Sequence, residues 1–427
     1  MIHQVKASPR NVELLNQIVV LQLVLLEMAA EEKDLTPSIN SVPGNVELTL
    51  RAFYGDNKQA RLVSDWITRR NRGNEYNDLF SALRKFAAHR NAVAKKEFVK
   101  GVRQDVELLN TPRKARLSVT IGAKSPAWKR SAGTFFKEFY EAFGSEKGLP
   151  EHLFRPSLPT QGFGRWDFID EFSETNPDLR LCPVCDSTLY RTTIGGRPYA
   201  SIEHFFPKSR YPHLSVHPLN LVPICPFCNS GAAGAIDPFG EDNLGALGLI
   251  LPYQEYRGLS EQTYLYVRPQ DRRDGHPLEL VMLPNSDYPD AKTLIANFER
   301  TYKVQKRWNE DMDLLDQHVY RRVTQFLLGD VQSGNKLKDV NFLVDRLKVL
   351  MALISKENLG HDPFGFATIW LIKYQVDSLE SDLEDPEDVP IYSSLCDWAL
   401  TQQARWDSYR EHAKVLIERV PQDTQAH

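Results

Sequence analysis

The chain has 427 residues, of which 42% are hydrophobic and 25% charged, with a formal net charge of −4. That balance excludes a collagen-like, a wholly disordered or a many-span membrane chain, and it leaves about two or three globular domains. It also excludes a global basic field, so any attraction to nucleic acid has to come from a local patch.

About the first 150 residues read as helical. The most apolar run, Ile18 to Leu26, lies inside a helix expected over Val12–Ala30 and opened by Ser8-Pro9. The run is about half the length that spans a bilayer. Gln22 interrupts it and Glu13 precedes it, so a buried helix of a cytoplasmic protein is expected rather than a membrane span or a signal peptide. Apolar residues at three- and four-residue spacings predict further helices over Val46–Phe53, Ala60–Ile67, Asn77–Ala88 and Thr134–Phe143, the last ended by Gly144 or Gly148. From Arg69 to Arg130 there are sixteen Lys or Arg against five Asp or Glu, a local net of +11. Such a stretch suits phosphate contacts, with Tyr76 and Trp128 available to stack on bases. Charged outer helix faces account for it equally.

From Trp166 to Pro284 the character changes, with Pro, Gly, Cys, His and Asn clustered. Short strands are expected at Leu189–Thr193, Tyr199–Ile202, Leu221–Ile224, Thr263–Val267 and Leu278–Leu283, with a hairpin turn at Ile194-Gly195-Gly196-Arg197. Helical periodicity returns over Ala291–Leu328 (broken once), Leu337–Ile354, Phe366–Ser378 and Ser393–Val420. Asp377–Asp388 carries seven acids and no base, and reads as a solvated loop or charged face. The fold class expected is mainly α with a small α+β insert. The domain division expected is 1–165, 166–285 and 286–427, the helical flanks packing around the central module.

Four of the five cysteines form two CxxC pairs, Cys182 with Cys185 and Cys225 with Cys228, separated by 39 residues; Cys396 stands alone and reads as a small buried hydrophobe. Four thiolates are the number that a closed tetrahedral zinc site requires. Each pair has a proline after its first cysteine, which favours the tight turn. A redox motif would need a βαβ context, which is absent. Between the pairs lie Glu203-His204, Pro207-Lys208 and Asn220, and Asn229 directly follows the last zinc cysteine.

EHFFPKS (Glu203–Ser209), NLVPIC (Asn220–Cys225) and CN (Cys228-Asn229), within the two CxxC pairs, resemble the HNH endonuclease family, whose ββα-metal fold packs a two-stranded hairpin on a helix around one divalent cation. The resemblance covers about a quarter of the chain. It implies that His204 is the general base and that Asn220 braces the loop that carries the base. It implies that Glu203 and Asn229 hold a catalytic Mg2+ or Mn2+, with zinc purely structural. The chain departs from the commoner pattern in having Glu for Asp at the acid, Asn for His at the last position, and SGAAGA after Asn229. The implied reaction is phosphodiester hydrolysis leaving a 5′-phosphate and a 3′-hydroxyl, on DNA by default and on RNA as the other option. Lys208, Arg210 and His217 are candidate phosphate contacts, and Arg197 at the hairpin tip is another. The wording of the motif also looks like stand-alone HNH proteins of Septu-type prokaryotic phage-defence systems, which implies an ABC-type ATPase partner. The competing reading is a non-catalytic zinc module that binds nucleic acid or a protein.

Overall fold

The computed structural model describes residues 2–38, 42–69, 76–112, 115–155, 161–186, 193–194, 197–198, 200–229, 236–240, 248–253, 258–269, 277–332, 337, 339–355, 363–381 and 390–418. It is mostly helical, with three two-stranded sheets among the described residues. The chain divides into two compact units: residues 1–263 with 284–304, and residues 264–283 with 305–427.

The first unit is built on α1 (Pro9–Glu31), which packs against α2 (Asn45–Tyr54), α4 (Asp78–Ala87), α5 (Ala92–Asn110) and α7 (Arg165–Thr175). Ser8 caps α1 through its hydroxyl, which accepts the Asn11 N–H at 3.3 Å, and Pro9 supplies the first helical residue, as expected. By length and composition α1 could cross a membrane; here Leu14, Leu15, Ile18, Leu21, Leu25 and Leu26 are all buried in the core. α3 (Asn57–Thr68) pairs with α2, and α6 (Ala127–Gly144) with α4. The expected helices at 46–53, 60–67, 77–88 and 134–143 are present, α6 ending at Gly144. Among the described residues, α5, α7 and the one-turn α8 (Leu259–Gln262) lie where no helix was expected.

One buried cation joins this layer. Lys95 on α5 is 1% exposed, and its ammonium donates to the carbonyls of Ala29 (3.0 Å), Glu32 (3.3 Å) and Ala87 (2.8 Å). Those carbonyls lie at the C-terminal ends of α1 and α4, where helices have no internal donors left and carry partial negative charge. Burial, and then the nearby Lys33 charge, lowers the Lys95 pKa. Lys95→Met keeps the stem but strands three carbonyls, and we expect it to cost about 2–4 kcal/mol in urea unfolding.

The short strands β1 (Thr193–Ile194) and β2 (Arg197–Pro198) pair with Ile194 opposite Arg197, as the turn signal required; Gly195-Gly196, the Arg197 side chain and most of the Leu189–Thr193 run lie outside the described residues. β3 (Ser201–His204) pairs antiparallel with β4 (Leu221–Ile224), Glu203 opposite Val222 and His204 opposite Leu221. Residues 226–229 take the first turn of a helix, while 230–235, where the glycines were expected to weaken it, lie outside the described residues. α8 (Leu259–Gln262) and α9 (Ala291–Tyr302) complete the unit.

The second unit holds the hairpin of β5 (Thr263–Pro269) and β6 (Leu278–Pro284), with α10 (Val304–Glu310), α11 (Met312–Gln332), α12 (Val340–Leu353), α13 (Gly365–Ser381) and α14 (Pro390–Glu418). α11 packs on α12, α13 and α14. The helical run from 291 is broken twice, not once. Lys303 takes a left-handed φ of 52° and closes α9 through its N–H to the Glu299 carbonyl, and a second break falls at Asp311. Of the acidic stretch, residues 377–381 continue α13 and 382–388 lie outside the described residues. Cys396, on α14, is half-buried.

Candidate metal centre and adjoining histidine site

Both CxxC pairs converge. The four Sγ atoms of Cys182, Cys185, Cys225 and Cys228 lie within 4.8 Å of one another, and all four residues are buried. A tetrahedron with Zn–S bonds of about 2.3 Å has S···S edges of about 3.8 Å. The Cys185–Cys225 distance is 3.8 Å, far from a disulfide bond. Backbone N–H groups of Cys225 and Cys228 donate to the sulfurs of Cys182 and Cys225, both at 3.4 Å, as they would to thiolates. Burial holds the Cys182 thiol well above its ordinary pKa, whereas a hydrogen bond from Cys182 holds Cys225 below its own. The donor set fits zinc, which would displace the protons and hold both ends of the 39-residue insert.

The first knuckle is latched from outside. The Asp186 N–H closes the turn onto the Cys182 carbonyl at 3.0 Å, and Asp186 itself has a left-handed φ of 55°. His3 Nε2 donates to the buried Asp186 carboxylate at 2.6 Å, and the His3 N–H donates to the Pro183 carbonyl at 3.2 Å.

Residues 205–220 connect β3 to β4 and are mostly buried, Ser209 and Arg210 being exposed, so their backbone groups need partners within the protein. Two proline-opened single turns, Pro212–Leu214 and Pro218–Asn220, provide some of them. The Asn220 side chain provides three more. It is fully buried; its Oδ1 accepts the Phe206 N–H at 2.7 Å, and its Nδ2 donates to the carbonyls of Phe206 (3.2 Å) and Leu214 (3.0 Å). One side chain thus ties both arms of the loop together. Asn220→Ala removes all three bonds and leaves buried groups unpaired; the expected cost is about 3–5 kcal/mol in chemical denaturation.

That loop holds the His204 ring. Nε2 lies 3.1 Å from the Ser215 carbonyl. A carbonyl only accepts, so Nε2 carries the proton and Nδ1 keeps its lone pair. Burial, with the Lys208 charge second and the Ser215 carbonyl opposing, lowers the His204 pKa to about 3, so the imidazole is neutral. Tyr140 of α6 meets the ring edge-on at 4.4 Å between centroids. Ser215 is held by its hydroxyl, which donates to the Phe136 carbonyl at 3.3 Å. His213 is held by Asp105 on α5 at 2.9 Å, and the same carboxylate accepts the N–H groups of Ser118 and Val119.

Glu203 precedes the histidine and is 4% exposed. Its carboxylate makes no hydrogen bond or ion pair among the described residues, and burial raises its pKa to about 9. It lies near Tyr302 of α9, whose buried hydroxyl has no hydrogen-bond partner among the described residues and whose pKa the Glu203 charge raises further, after burial. Tyr140, raised to about 12 mainly by burial, also feels the Glu203 charge, so it adjoins both members of the Glu-His pair. A buried carboxylate with no cationic partner among the described residues has the chemistry to hold a hard divalent cation, and Asn229 lies one helical turn past Cys225.

The remaining candidates separate. Lys208 lies 4.2 Å over the Tyr140 ring and 3.3 Å from Glu141, and Arg210 pairs with Asp237 at 3.0 Å; both are partly exposed. His217 is fully buried, its Nδ1 accepts the Leu219 N–H, and burial lowers its pKa to about 3. It is a loop-core residue that a substrate phosphate cannot reach. Sequence reading missed Tyr140, Tyr302, and Asp105 with its partner His213; each adjoins or braces the site from a distant helix, and no local motif announces it. No family model matches the chain, and no curated protein or solved structure is significantly similar to it.

Proposed function

We propose that the chain is a metal-dependent endonuclease that hydrolyses phosphodiester bonds, principally in DNA, through an HNH-type module formed by β3, β4 and the helical turn at 226–229. The observation that carries this reading is a neutral histidine, fixed in one tautomer, next to a buried carboxylate that has no partner among the described residues. His204 Nδ1 takes the proton of an attacking water, and the Ser215 carbonyl holds the imidazolium that results. Water adds to phosphorus, the bond to the 3′-oxygen breaks, and the products are a 5′-phosphate and a 3′-hydroxyl. Held by Glu203 and Asn229, Mg2+ or Mn2+ would supply charge stabilisation at the leaving oxygen. Asn220 positions the loop and does not touch substrate. A non-catalytic zinc module has no use for an orphan carboxylate at this place. A role as an antiphage effector with an ABC-type ATPase partner extends the proposal and rests on the wording of residues 203–229 alone.

The test is plasmid cleavage in Mg2+ or Mn2+ by wild type and His204→Ala, with zinc measured in both. The variant should cleave about 10²–10⁴-fold more slowly while keeping its zinc. A folded, zinc-loaded wild type that cuts neither alone nor with a candidate ATPase would sink the reading.

A further inference from the structure

Three helix ends converge on Trp128 at the start of α6. Its ring stacks on His89, from the α4–α5 connection, at 4.8 Å and 11°, and packs against Phe86 of α4 and Phe98 of α5 at 5.8 and 5.5 Å. Trp128 is therefore a packing hub and not a free platform for a base. Around it the surface is basic. From Val119 to Lys137 there is no acid, Glu138 and Glu141 follow at the far end of α6, and from Phe86 to Gln104 there is only Glu97. Lys85, Arg90 and Lys124 are exposed and have no acidic partner among the described residues. Arg130 donates to the carbonyls of Ala123 and Ser125, which fixes the loop that bears Lys124. Lys129 lies over the Trp128 ring at 5.5 Å.

This surface is physically continuous with the histidine site. The Ile121 N–H donates to the Arg210 carbonyl at 2.8 Å, three residues before Lys124. Along α6, Lys129, Gly133, Phe136 and Tyr140 share one face, whose middle, Gly133 and Phe136, is buried against the base loop. A Cβ on Gly133 would lie 3.4 Å from Pro212 of the base loop, and Tyr140 meets His204. From Trp128 to Tyr140 the helix runs about 18 Å, the length of about five base pairs.

We infer that Lys85, Arg90 and Lys124, on the segments that meet at Trp128, form a duplex-DNA backbone site beside the loop that holds His204. The inference rests on the proposed reading of the His204 site as one that acts on nucleic acid. Unpaired cations without a free aromatic face read phosphates rather than bases, so binding should be strong in low salt and indifferent to sequence.

The experiment is fluorescence anisotropy of a short labelled duplex with the full chain, comparing wild type, His204→Ala, a triple charge reversal (K85E, R90E, K124E) and its neutral counterpart (K85Q, R90Q, K124Q). His204→Ala should bind like wild type. Both triple variants, melting as wild type does, should bind about tenfold or more weakly, with the slope of log K against log salt reduced by about 2–3. Wild-type affinity in the neutral triple variant, or no duplex binding by wild type, would overturn the inference. Patch-dependent binding without cleavage by any form would leave the DNA face standing and remove only the catalytic reading.

Discussion

Cys225→Ser is expected to strip the zinc and unfold the segment from Leu181 to Asn229. Among the described residues that segment has two short strand pairs, β1–β2 and β3–β4, and three single helical turns, and a two-stranded pair is marginal in water by itself. The four sulfurs at zinc-site spacing sit at its two ends. Binding energy in such sites is folding energy, about 10–16 kcal/mol in small zinc modules, more than most domains hold in reserve. Elemental analysis should find the variant without zinc, and its melting should lose a transition that chelation also removes from wild type. Helical circular dichroism from α1–α7 should largely survive. Retention of zinc and of the wild-type melting curve would show that the thiols do not hold the metal.

Glu203→Gln should separate stability from activity. Burial lifts the wild-type carboxyl from its ordinary 4.5 to about 9 in the metal-free fold. An acid whose folded pKa is raised costs nothing below its unfolded value and costs progressively more as pH climbs from there towards the folded value. At neutral pH the cost is about 3 kcal/mol. Glutamine cannot ionise, though it buries an unpaired amide at about 1–3 kcal/mol. The metal-free variant should therefore overtake wild type between about pH 5 and 8, by about 1.4 kcal/mol per pH unit. Mg2+ or Mn2+ should raise the wild-type melting temperature, leave that of the variant unchanged and restore no cleavage to it. Parallel stability–pH profiles for the two proteins would refute the argument.

The legible parts were those written locally. The CxxC pairs, the strand before Glu203-His204 and the one after Asn220 follow from spacing and alternation, and the fold brings them together. α5 escaped because its buried face includes Lys95 and Asp105, which break the apolar stripe that marks a helix. Each is buried for a polar task, capping two helix ends in one case and holding His213 in the other. His217 was misread for the converse reason: a polar residue in a Pro-rich loop resembles a surface residue until the loop proves to be core. Tyr140 and Tyr302 were out of reach because their relation to Glu203-His204 exists only after α6 and α9 have packed.

The His3–Asp186 latch also has a consequence in time. The partners stand 183 residues apart, whereas His204 and Leu221 across the hairpin are 17 apart. Closing the longer loop costs about 2 kcal/mol more in chain entropy, so the hairpin and knuckles should assemble before the latch engages. In refolding, metal uptake should then precede the protection from hydrogen exchange of the His3 amide, which donates to the Pro183 carbonyl. The first knuckle would be rigid only in molecules whose α1 layer is already in place.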